Sequence, residues 1–368
     1  MGRSVLLVSQ PTIGGTAVHV RELAAAAVRA GWNVSVACPR DGRLSGWAVE
    51  AGARWIELPM TRHPGWSDVR ARRRLGRLMR GFDVVHLHSS KAGALGRLGG
   101  LGPLGGLGRR RSSSERVVFT PHAWSWNVGG PLAPLYRWVE RRLASAADVI
   151  VAVSDEEADV GRRILGRRAD HVRAIPNGVD LDHFRPERRD RAATPVVLCV
   201  GRLSRQKGQD VLVRALAKMR TPARLRLVGE DDERALVDSL AKSLGVEARV
   251  DVVGPVADTG PEYRNADVVV VPSRWDGLSL VLLEAMASGA AIVATRVAGA
   301  AALEGAGVIV PPEDPAAMAD AIDELLADTT RCHELGGQAR AVAEARFGLP
   351  DSMQQTLDLW TSLLADIT

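Results

Sequence analysis

The stretch DVVVVPSRWDGLSLVLLEAMASG, residues 267–289, decides the fold of this chain. A run of β-branched residues is followed by a short polar loop and a strongly apolar helical pattern, which predicts a buried parallel strand leading into a helix. The loop carries Asp276 and the helix carries Glu284. Because a buried carboxylate needs a partner, Glu284 is predicted to bind a ligand, whereas Asp276 is either a ligand contact or a helix cap.

The same alternation of strand and helix runs through the whole chain in two series. The first series of predicted strands covers residues 4–9, 33–38, 83–89, 116–122, 148–154 and 171–178, and the second covers 196–201, 224–230, 249–254, 267–273, 291–295 and 307–312. Strands that alternate with helices imply parallel sheets covered on both faces. We therefore predict an α/β protein of two facing doubly wound, Rossmann-like domains, with ligands bound beyond the carboxyl ends of the strands.

The length of 368 residues also suits two domains. We place the first domain at residues 1–185 and the second at 186–349, with the polar, proline-bearing stretch 183–195 as a hinge. The amphipathic pattern within residues 350–368 predicts a last helix that packs back on the first domain.

Charge is divided unevenly between the two halves. Residues 1–190 hold 30 Lys and Arg against 18 Asp and Glu, whereas residues 191–368 hold 18 against 25. The basic clusters at 68–80, 108–116 and 137–143 are either solvated surface or sites for an anionic membrane or a phosphorylated substrate. Aromatic residues are sparse among these clusters, so nucleic acid is not an expected partner.

Targeting and metal signals are weak. The first apolar run is too short for an export signal and no run is long enough to span a membrane, so we expect a cytoplasmic protein. The cysteines Cys38, Cys199 and Cys332 lie far apart, without the spacing of a metal site. His86 and His88 share one face of a strand without an acidic neighbour, and we expect them to line the core or cleft rather than to bind metal.

The glycine-rich segment 92–114 has low sequence complexity. Glycine is too frequent there for a confident helix, so we predict a flexible loop, with an acceptor- or membrane-contacting loop as the functional alternative.

Backbone amides at the start of the helix in the opening stretch are predicted to bind phosphate. Carboxylates accept hydrogen bonds from sugar hydroxyls, which gives Asp276 and Glu284 a role beside the phosphate. The amides belong to Gly277, Leu278, Ser279 and Leu280.

Two other loops have the composition of phosphate sites. Arg202 and Lys207 follow a predicted strand and supply two cations for a diphosphate, with exposed surface cations as the alternative. Gly14 and Gly15 follow the first strand and permit close approach of backbone to ligand. They lack the GxGxxG spacing, so a nicotinamide cofactor is not expected.

The segments IGGTAVHVRELA, DVVHLHSSKAG, TPHAW, VGRLSRQKGQDVLVRAL and PSRWDGLSLVLLEAMASG resemble, in order, the retaining GT-B glycosyltransferases of family 4, also called glycosyl transferases group 1. The resemblance covers nearly the whole chain. It implies that Arg202 and Lys207 bind the donor diphosphate, that Asp276 contacts donor-sugar hydroxyls and that Glu284 binds the ribose.

The resemblance extends to residues outside these loops. His122 corresponds to a histidine that faces the transferred sugar. Gly14 and Gly15 correspond to a glycine pair near the phosphates and acceptor, and Pro255 and Val256 to a loop whose backbone contacts the base.

The implied activity is transfer of a hexose-type sugar from a nucleoside-diphosphate sugar, with UDP preferred over GDP, to a hydroxyl acceptor. The acceptor is lipid-linked, a polysaccharide or a small molecule, and no cofactor or metal is required. Peripheral contact with an anionic membrane is a further expectation.

Two departures from the family pattern keep alternatives open. Asp276 is one methylene shorter than the usual glutamate, and the segment after 291–295 lacks the family's glycine-proline-glutamate element. The alternatives are a catalytically silent sugar-nucleotide-binding protein and a GT-B nucleotide-sugar epimerase.

Overall fold

The computed structural model describes residues 2–61, 65–99, 115–128, 132–187 and 194–365. The chain forms two compact units, the first made of Met1–Pro176 with Pro350–Thr368 and the second of Asn177–Leu349. The first unit ends at Pro176, before the domain boundary predicted at residue 185, because the residues that follow Pro176 form hydrogen bonds within the second unit. Asn177 donates to the carbonyl of Leu278, and the amide of Val179 donates to the carbonyl of Phe347. Residues 188–193 of the proposed hinge lie outside the described residues.

The first unit contains a parallel sheet of seven strands in the order β3-β2-β1-β4-β5-β6-β7. The strands are β1 (Ser4–Ser9), β2 (Asn33–Cys38), β3 (Arg54–Glu57), β4 (Val84–His88), β5 (Arg116–Thr120), β6 (Val149–Ala152) and β7 (Val172–Ala174). Helices α1 (Gly14–Arg29), α2 (Leu44–Glu50), α3 (Ser67–Leu78), α4 (Ser90–Gly99), α5 (Ala133–Leu143) and α6 (Asp155–Leu165) connect them. Strand β4 is buried over its whole length, as expected for a central parallel strand.

The second unit contains a parallel sheet of six strands in the order β10-β9-β8-β11-β12-β13. The strands are β8 (Val196–Val200), β9 (Arg224–Val228), β10 (Val250–Gly254), β11 (Val268–Val271), β12 (Ile292–Thr295) and β13 (Val308–Val310). The helices are α7 (Gln209–Leu216), α8 (Arg234–Ser243), α9 (Gly260–Arg264), α10 (Leu280–Ala287), α11 (Pro315–Ala327) and α12 (Thr329–Arg346). The four valines of β11 are all buried, which explains the uniformly apolar strand of the opening stretch.

The last helix, α13 (Leu349–Ala365), packs in the first unit. Trp360 is fully buried and meets the ring of Trp32 edge-on at 5.3 Å between centroids. Arg116 donates to the carbonyl of Leu363 at 2.8 Å, which joins the helix to the start of β5. Among the described residues, no helix combines the length and apolar character needed to cross a membrane.

Each sheet has one pair of neighbouring strands at which the strand order reverses. The pair is β1 and β4 in the first sheet and β8 and β11 in the second. Loops leave such a pair in opposite directions, so a crevice opens beyond the carboxyl ends of the two strands. These two reversal points determine where ligands are expected in each unit.

The prediction of an α/β protein with two doubly wound parallel sheets is confirmed, and one strand was missed. Strand β3 has the mixed sequence RWIE, lies at the edge of its sheet and is only partly buried. An edge strand half in solvent has no continuous apolar run, so the pattern that identified the other strands is absent.

The prediction of a flexible loop over 92–114 is wrong for its first part. Helix α4 covers this part, and its glycines are needed for close packing rather than for flexibility. A Cβ on Gly93 would lie 2.2 Å from the ring of Phe119, and one on Gly96 would lie 2.6 Å from Leu87. Residues 100–114 lie outside the described residues.

Candidate functional site

Two loops meet at the reversal point of the second sheet, the β8 loop (residues 201–208) and the β11 loop (residues 272–279). The amide of Arg274 donates to the carbonyl of Gln206 at 2.8 Å, and the Gln206 side chain donates to the carbonyl of Trp275 at 3.1 Å. Gly208 has a φ of +71°, and a Cβ there would lie 2.1 Å from the carbonyl oxygen of Pro272. Glycine is therefore required where the two loops touch.

Lys207 of the β8 loop and Asp276 of the β11 loop form an ion pair across this junction. Nζ of Lys207 lies 2.6 Å from Oδ2 of Asp276, with side chains 22% and 13% exposed. The hydroxyl of Ser273 adds a longer hydrogen bond of 3.4 Å to the same oxygen. The sequence predicted a phosphate cation and a sugar-binding acid separately, and the structure brings them into contact.

Arg202, the second predicted phosphate cation, has an acidic partner of its own. Its Nη1 lies 3.3 Å from Oδ2 of Asp232, in the loop after β9. Both cations are thus held by carboxylates at the carboxyl edge of the sheet. A diphosphate that binds here must share or replace these contacts, because phosphate oxygens and carboxylates compete for the same donors.

Arg274 holds the β11 loop in place and was missed by the sequence analysis. Its guanidinium donates to both carboxylate oxygens of Asp210 at 2.7 and 2.8 Å and also binds Glu313. These hydrogen bonds raise the pKa of Arg274 and lower that of Glu313. The loop beside Lys207 is therefore fixed to α7 and to the segment after β13 by a permanently charged group.

Helix α10 begins at Leu280, so the predicted phosphate-binding amides divide into two groups. Gly277, Leu278 and Ser279 form the buried end of the β11 loop, and Leu280 opens the helix. Ser279 is the N-cap residue, and its hydroxyl does not cap the helix. The first-turn amides therefore lack a side-chain cap, which leaves them suited to an anion.

Gly299 supports this loop from the segment that lacks the family's glycine-proline-glutamate element. Its φ is +83°, and a Cβ there would lie 2.7 Å from the carbonyl oxygen of Gly277 and from Cα of Leu278. The side chain of Asn177 donates to the carbonyl of Leu278 at 2.7 Å. The shape of the loop thus depends on residues far away in the sequence.

Glu284 lies half-buried on α10, and its partner is a tyrosine that the sequence analysis did not identify. The hydroxyl of Tyr263 donates to Oε2 of Glu284 at 2.7 Å. Burial, followed by the Glu284 charge, raises the pKa of Tyr263 well above its usual value. Tyr263 lies on α9, which follows the predicted base-contacting residues Pro255, exposed, and Val256, half-buried.

Strained backbone lies at the carboxyl edge of the first sheet, at and beside its reversal point. Among the described residues, Ser89 after β4 has a φ of 78°, and His122 and Ala123 after β5 have φ values of 54° and 102°. Such conformations are costly and cluster at functional sites, where the surrounding structure must maintain them. Gly14, with a φ of +74°, and Gly15 are exposed at the start of α1, the helix that follows β1.

Glu157 maintains the backbone beside His122. Its carboxylate is buried and accepts from the amides of Ala123 and Val153, each at 2.8 Å. The indole of Trp124 donates to the Glu157 carbonyl at 2.9 Å. No sequence motif marked Glu157, although its place at the start of α6, after Ser154 as N-cap, is a recognisable capping pattern.

Histidines fill the carboxyl ends of β4 and β5. His86 and His88 are buried as predicted, with Nε2 of His86 2.8 Å from the Thr120 hydroxyl and Nδ1 of His88 3.1 Å from Nε2 of His122. Burial, aided by the neighbouring imidazoles, lowers the pKa of His86, His88 and His122 well below the usual value. The rings are therefore neutral at physiological pH.

Solved structures show which class this architecture belongs to. Sucrose-phosphate synthase from Thermosynechococcus elongatus is similar with a TM-score of 0.83 and 27% identity, covering 99% of this chain and 100% of that one. HepE from Anabaena, solved with UDP and glucose, has a TM-score of 0.83 and 22% identity, covering 98% and 100%. The fold is that of the GT-B glycosyltransferases.

Sequence relatives define the family. Residues 13–183 match Glycosyltransferase Family 4, and residues 194–328 match Glycosyl transferases group 1. D-inositol 3-phosphate glycosyltransferase from Xylanimonas cellulosilytica is 34% identical over 303 residues, 76% of this chain and 72% of that protein. GDP-mannose-dependent alpha-(1-6)-phosphatidylinositol monomannoside mannosyltransferase from Mycolicibacterium smegmatis is 33% identical over 255 residues, 63% and 66%. The chain belongs to glycosyltransferase family 4 and is a glycosyltransferase.

Proposed function

We propose that this enzyme transfers a hexose-type sugar from a nucleoside-diphosphate sugar to a hydroxyl of a phosphorylated polyol acceptor, with retention of configuration. The observation that carries the proposal is the junction of Lys207 and Asp276 beside the first turn of α10, at the reversal point of the second sheet. It combines a cation and uncapped amides for a diphosphate with a carboxylate for sugar hydroxyls.

In this proposal, the chain's own residues stabilise the leaving group. Cleavage of the bond between the anomeric carbon and the diphosphate builds charge on a phosphate oxygen, which Lys207, Arg202 and the α10 amides are placed to receive. As phosphate takes the Lys207 contact, Asp276 becomes available to the sugar hydroxyls. The acceptor proton passes to the departing phosphate on the same face of the sugar, so no protein base and no metal ion is required.

The donor base is proposed to be uracil in preference to guanine. The preference follows the family that the sequence resembles, and guanine is the alternative because the Mycolicibacterium smegmatis relative, 33% identical, is named for GDP-mannose. Glu284, oriented by Tyr263, is proposed to bind the ribose hydroxyls, and the backbone of Pro255 and Val256 to contact the base.

The acceptor is proposed from the relatives' names and from charge. Those names specify D-inositol 3-phosphate and a phosphatidylinositol monomannoside as substrates of those proteins. Residues 1–190 carry a net charge of +12, which favours an anionic acceptor. An inositol phosphate, free or lipid-linked, therefore fits this chain best.

The test is a transfer assay with purified full-length protein. UDP-glucose, other UDP-sugars and GDP-mannose are each incubated with inositol phosphates, and the product is identified by mass and by its anomeric proton coupling. We expect one donor to give a single product of retained configuration, without added metal. Release of sugar without any acceptor, or an inverted product, would contradict the proposal.

Peripheral membrane contact is proposed separately, from helix α5. The side chains of Leu135 and Trp138 are 51% and 59% exposed, and Leu132 before the helix is 52% exposed. Exposed Arg137, Arg141 and Arg142 lie on the same helix. Apolar and aromatic groups beside arginines match the interface of an anionic bilayer.

Co-sedimentation with vesicles tests this surface. Wild type is expected to bind vesicles containing phosphatidylglycerol more strongly than phosphatidylcholine vesicles, and a Leu135→Ser, Trp138→Ser variant to lose the difference. The matched control is Leu236→Ser, a similarly exposed leucine of the second unit, 56% exposed. Equal binding by wild type and the double variant would refute the role of α5.

A further inference from the structure

Three histidines converge at the carboxyl edge of the first sheet, although they come from distant parts of the sequence. His19 lies on α1, the helix after β1, while His88 ends β4 and His122 follows β5. Strands β1, β4 and β5 are neighbours in the sheet. The proposed transfer mechanism gives none of the three rings a role, and the family resemblance assigns one to His122 alone.

The ring nitrogens are spaced slightly wider than the ligands of a metal site. One nitrogen from each of the three histidines lies within 4.8 Å of the others. Nδ1 of His88 and Nε2 of His122 are already 3.1 Å apart. Zn–N bonds of about 2.0–2.1 Å in a tetrahedral site place ligand nitrogens about 3.4 Å apart, so the widest of these separations needs to close by at most about 1.4 Å.

Burial also suits an ion at this place. His88 is fully buried and His19 is 8% exposed, so both rings lie away from bulk water. Nδ1 of His88 and Nε2 of His122 face each other, so an ion between them gains two imidazole ligands without moving either strand.

We propose that His19, His88 and His122 bind one divalent transition-metal ion of the Zn²⁺ type, with a fourth position open to water or to a ligand oxygen. The ion replaces the hydrogen bond between His88 and His122. Half-buried His122 provides the side from which an ion can enter. The strained backbone at His122, held by Glu157, keeps this ring directed at the cluster.

The effect on transfer rests on the proposed function. The family resemblance makes His122 the counterpart of a histidine that faces the transferred sugar, so an ion bound to Nε2 of His122 removes that contact. Zn²⁺ is therefore an inhibitor at this site, in contrast to a metal that assists the diphosphate in leaving.

Cobalt is the probe for the site, because tetrahedral Co²⁺ bound to imidazoles absorbs visible light. Full-length protein freed of metal is titrated with CoCl₂ and then with ZnCl₂. We expect one Co²⁺ per chain, displaced by Zn²⁺, and at least about a tenfold loss of affinity in His19→Gln and in His122→Gln. The matched control is His171→Gln, an exposed histidine of the same unit, which should bind like wild type.

Circular dichroism of each variant establishes that the fold is retained. The proposal is overturned if wild type binds no stoichiometric Co²⁺, or if both cluster variants bind it as wild type does. A separate transfer assay with Zn²⁺ distinguishes the two proposals. Stoichiometric Co²⁺ binding, together with a transfer rate that Zn²⁺ does not lower, supports the metal site and refutes the contact of His122 with the sugar.

Discussion

Replacement of Lys207 by alanine is the sharpest perturbation of the proposed donor site. It removes the cation that lies 2.6 Å from Asp276 and leaves that carboxylate without its strongest partner in a setting only 13% exposed. Loss of one oxyanion-stabilising donor costs about 2–4 kcal/mol in the transition state. At about 1.36 kcal/mol per factor of ten, kcat should fall about 30- to 900-fold.

The same substitution should also lower stability. An exposed ion pair contributes about 0–1 kcal/mol to the free energy of unfolding. Loss of one partner of a fully buried pair lowers that free energy by about 3–5 kcal/mol. The pair of Lys207 and Asp276 is partly buried, so we expect the free energy of unfolding to fall by about 1–3 kcal/mol. The double variant Lys207→Ala, Asp276→Ala should recover part of this loss, because no carboxylate is then left without its cation.

Urea unfolding and steady-state transfer measure the two effects. Lys218→Ala, an exposed lysine of the same unit, is the matched control. Transfer by Lys207→Ala within about threefold of the control would refute the assignment of Lys207 to the leaving group. If the double variant is less stable than Lys207→Ala, the two side chains do not stabilise each other as described.

Three further outcomes are expected. Glu284→Gln should weaken nucleotide binding, measured by calorimetry, about tenfold or more. Tyr263→Phe removes one hydrogen bond to Glu284 and should cost about 1 kcal/mol of nucleotide binding free energy. Equal affinities in both variants and wild type would exclude the ribose contact. Glu157→Gln should reduce kcat with little change in nucleotide affinity, because the backbone at His122 relaxes; an unchanged kcat would show that this backbone is not used. Arg97 of α4 lies 2.7 Å from the buried carboxylate of Glu140 of α5. Arg97→Met should lower the free energy of unfolding by about 3–5 kcal/mol, because Glu140 is then a buried charge without its cation; a loss below about 1 kcal/mol would contradict the pairing.

The strands were predictable because most of them are buried on both faces. A strand such as β11 then has only apolar residues between two turn signals, and its position follows from composition alone. Strand β3 is the exception, since an edge strand can alternate polar and apolar residues. The prediction was wrong at α4 for a different reason. The glycines of α4 lie against Phe119 and Leu87, and this tertiary packing is not visible in any local sequence pattern.

The candidate site was predictable residue by residue but not as a set of contacts. Lys207 and Asp276 are recognisable from the loops that carry them. Their pairing depends on β8 and β11 being neighbours, which the order of strands along the chain does not reveal. Tyr263, Arg274 and Glu157 were missed for the same reason, since each acts through a partner on another element.

Donor binding tests the central claim most directly. Full-length wild type and Lys207→Ala are heated with UDP, GDP, UDP-sugars and GDP-mannose, with and without magnesium. A ligand at 100 times its Kd adds about 2.7 kcal/mol to the stability of the folded state. We predict a rise in Tm with one nucleotide class, independent of magnesium and lost in Lys207→Ala. The same rise in both proteins, or none with any nucleotide, would contradict a donor site at the Lys207 and Asp276 junction.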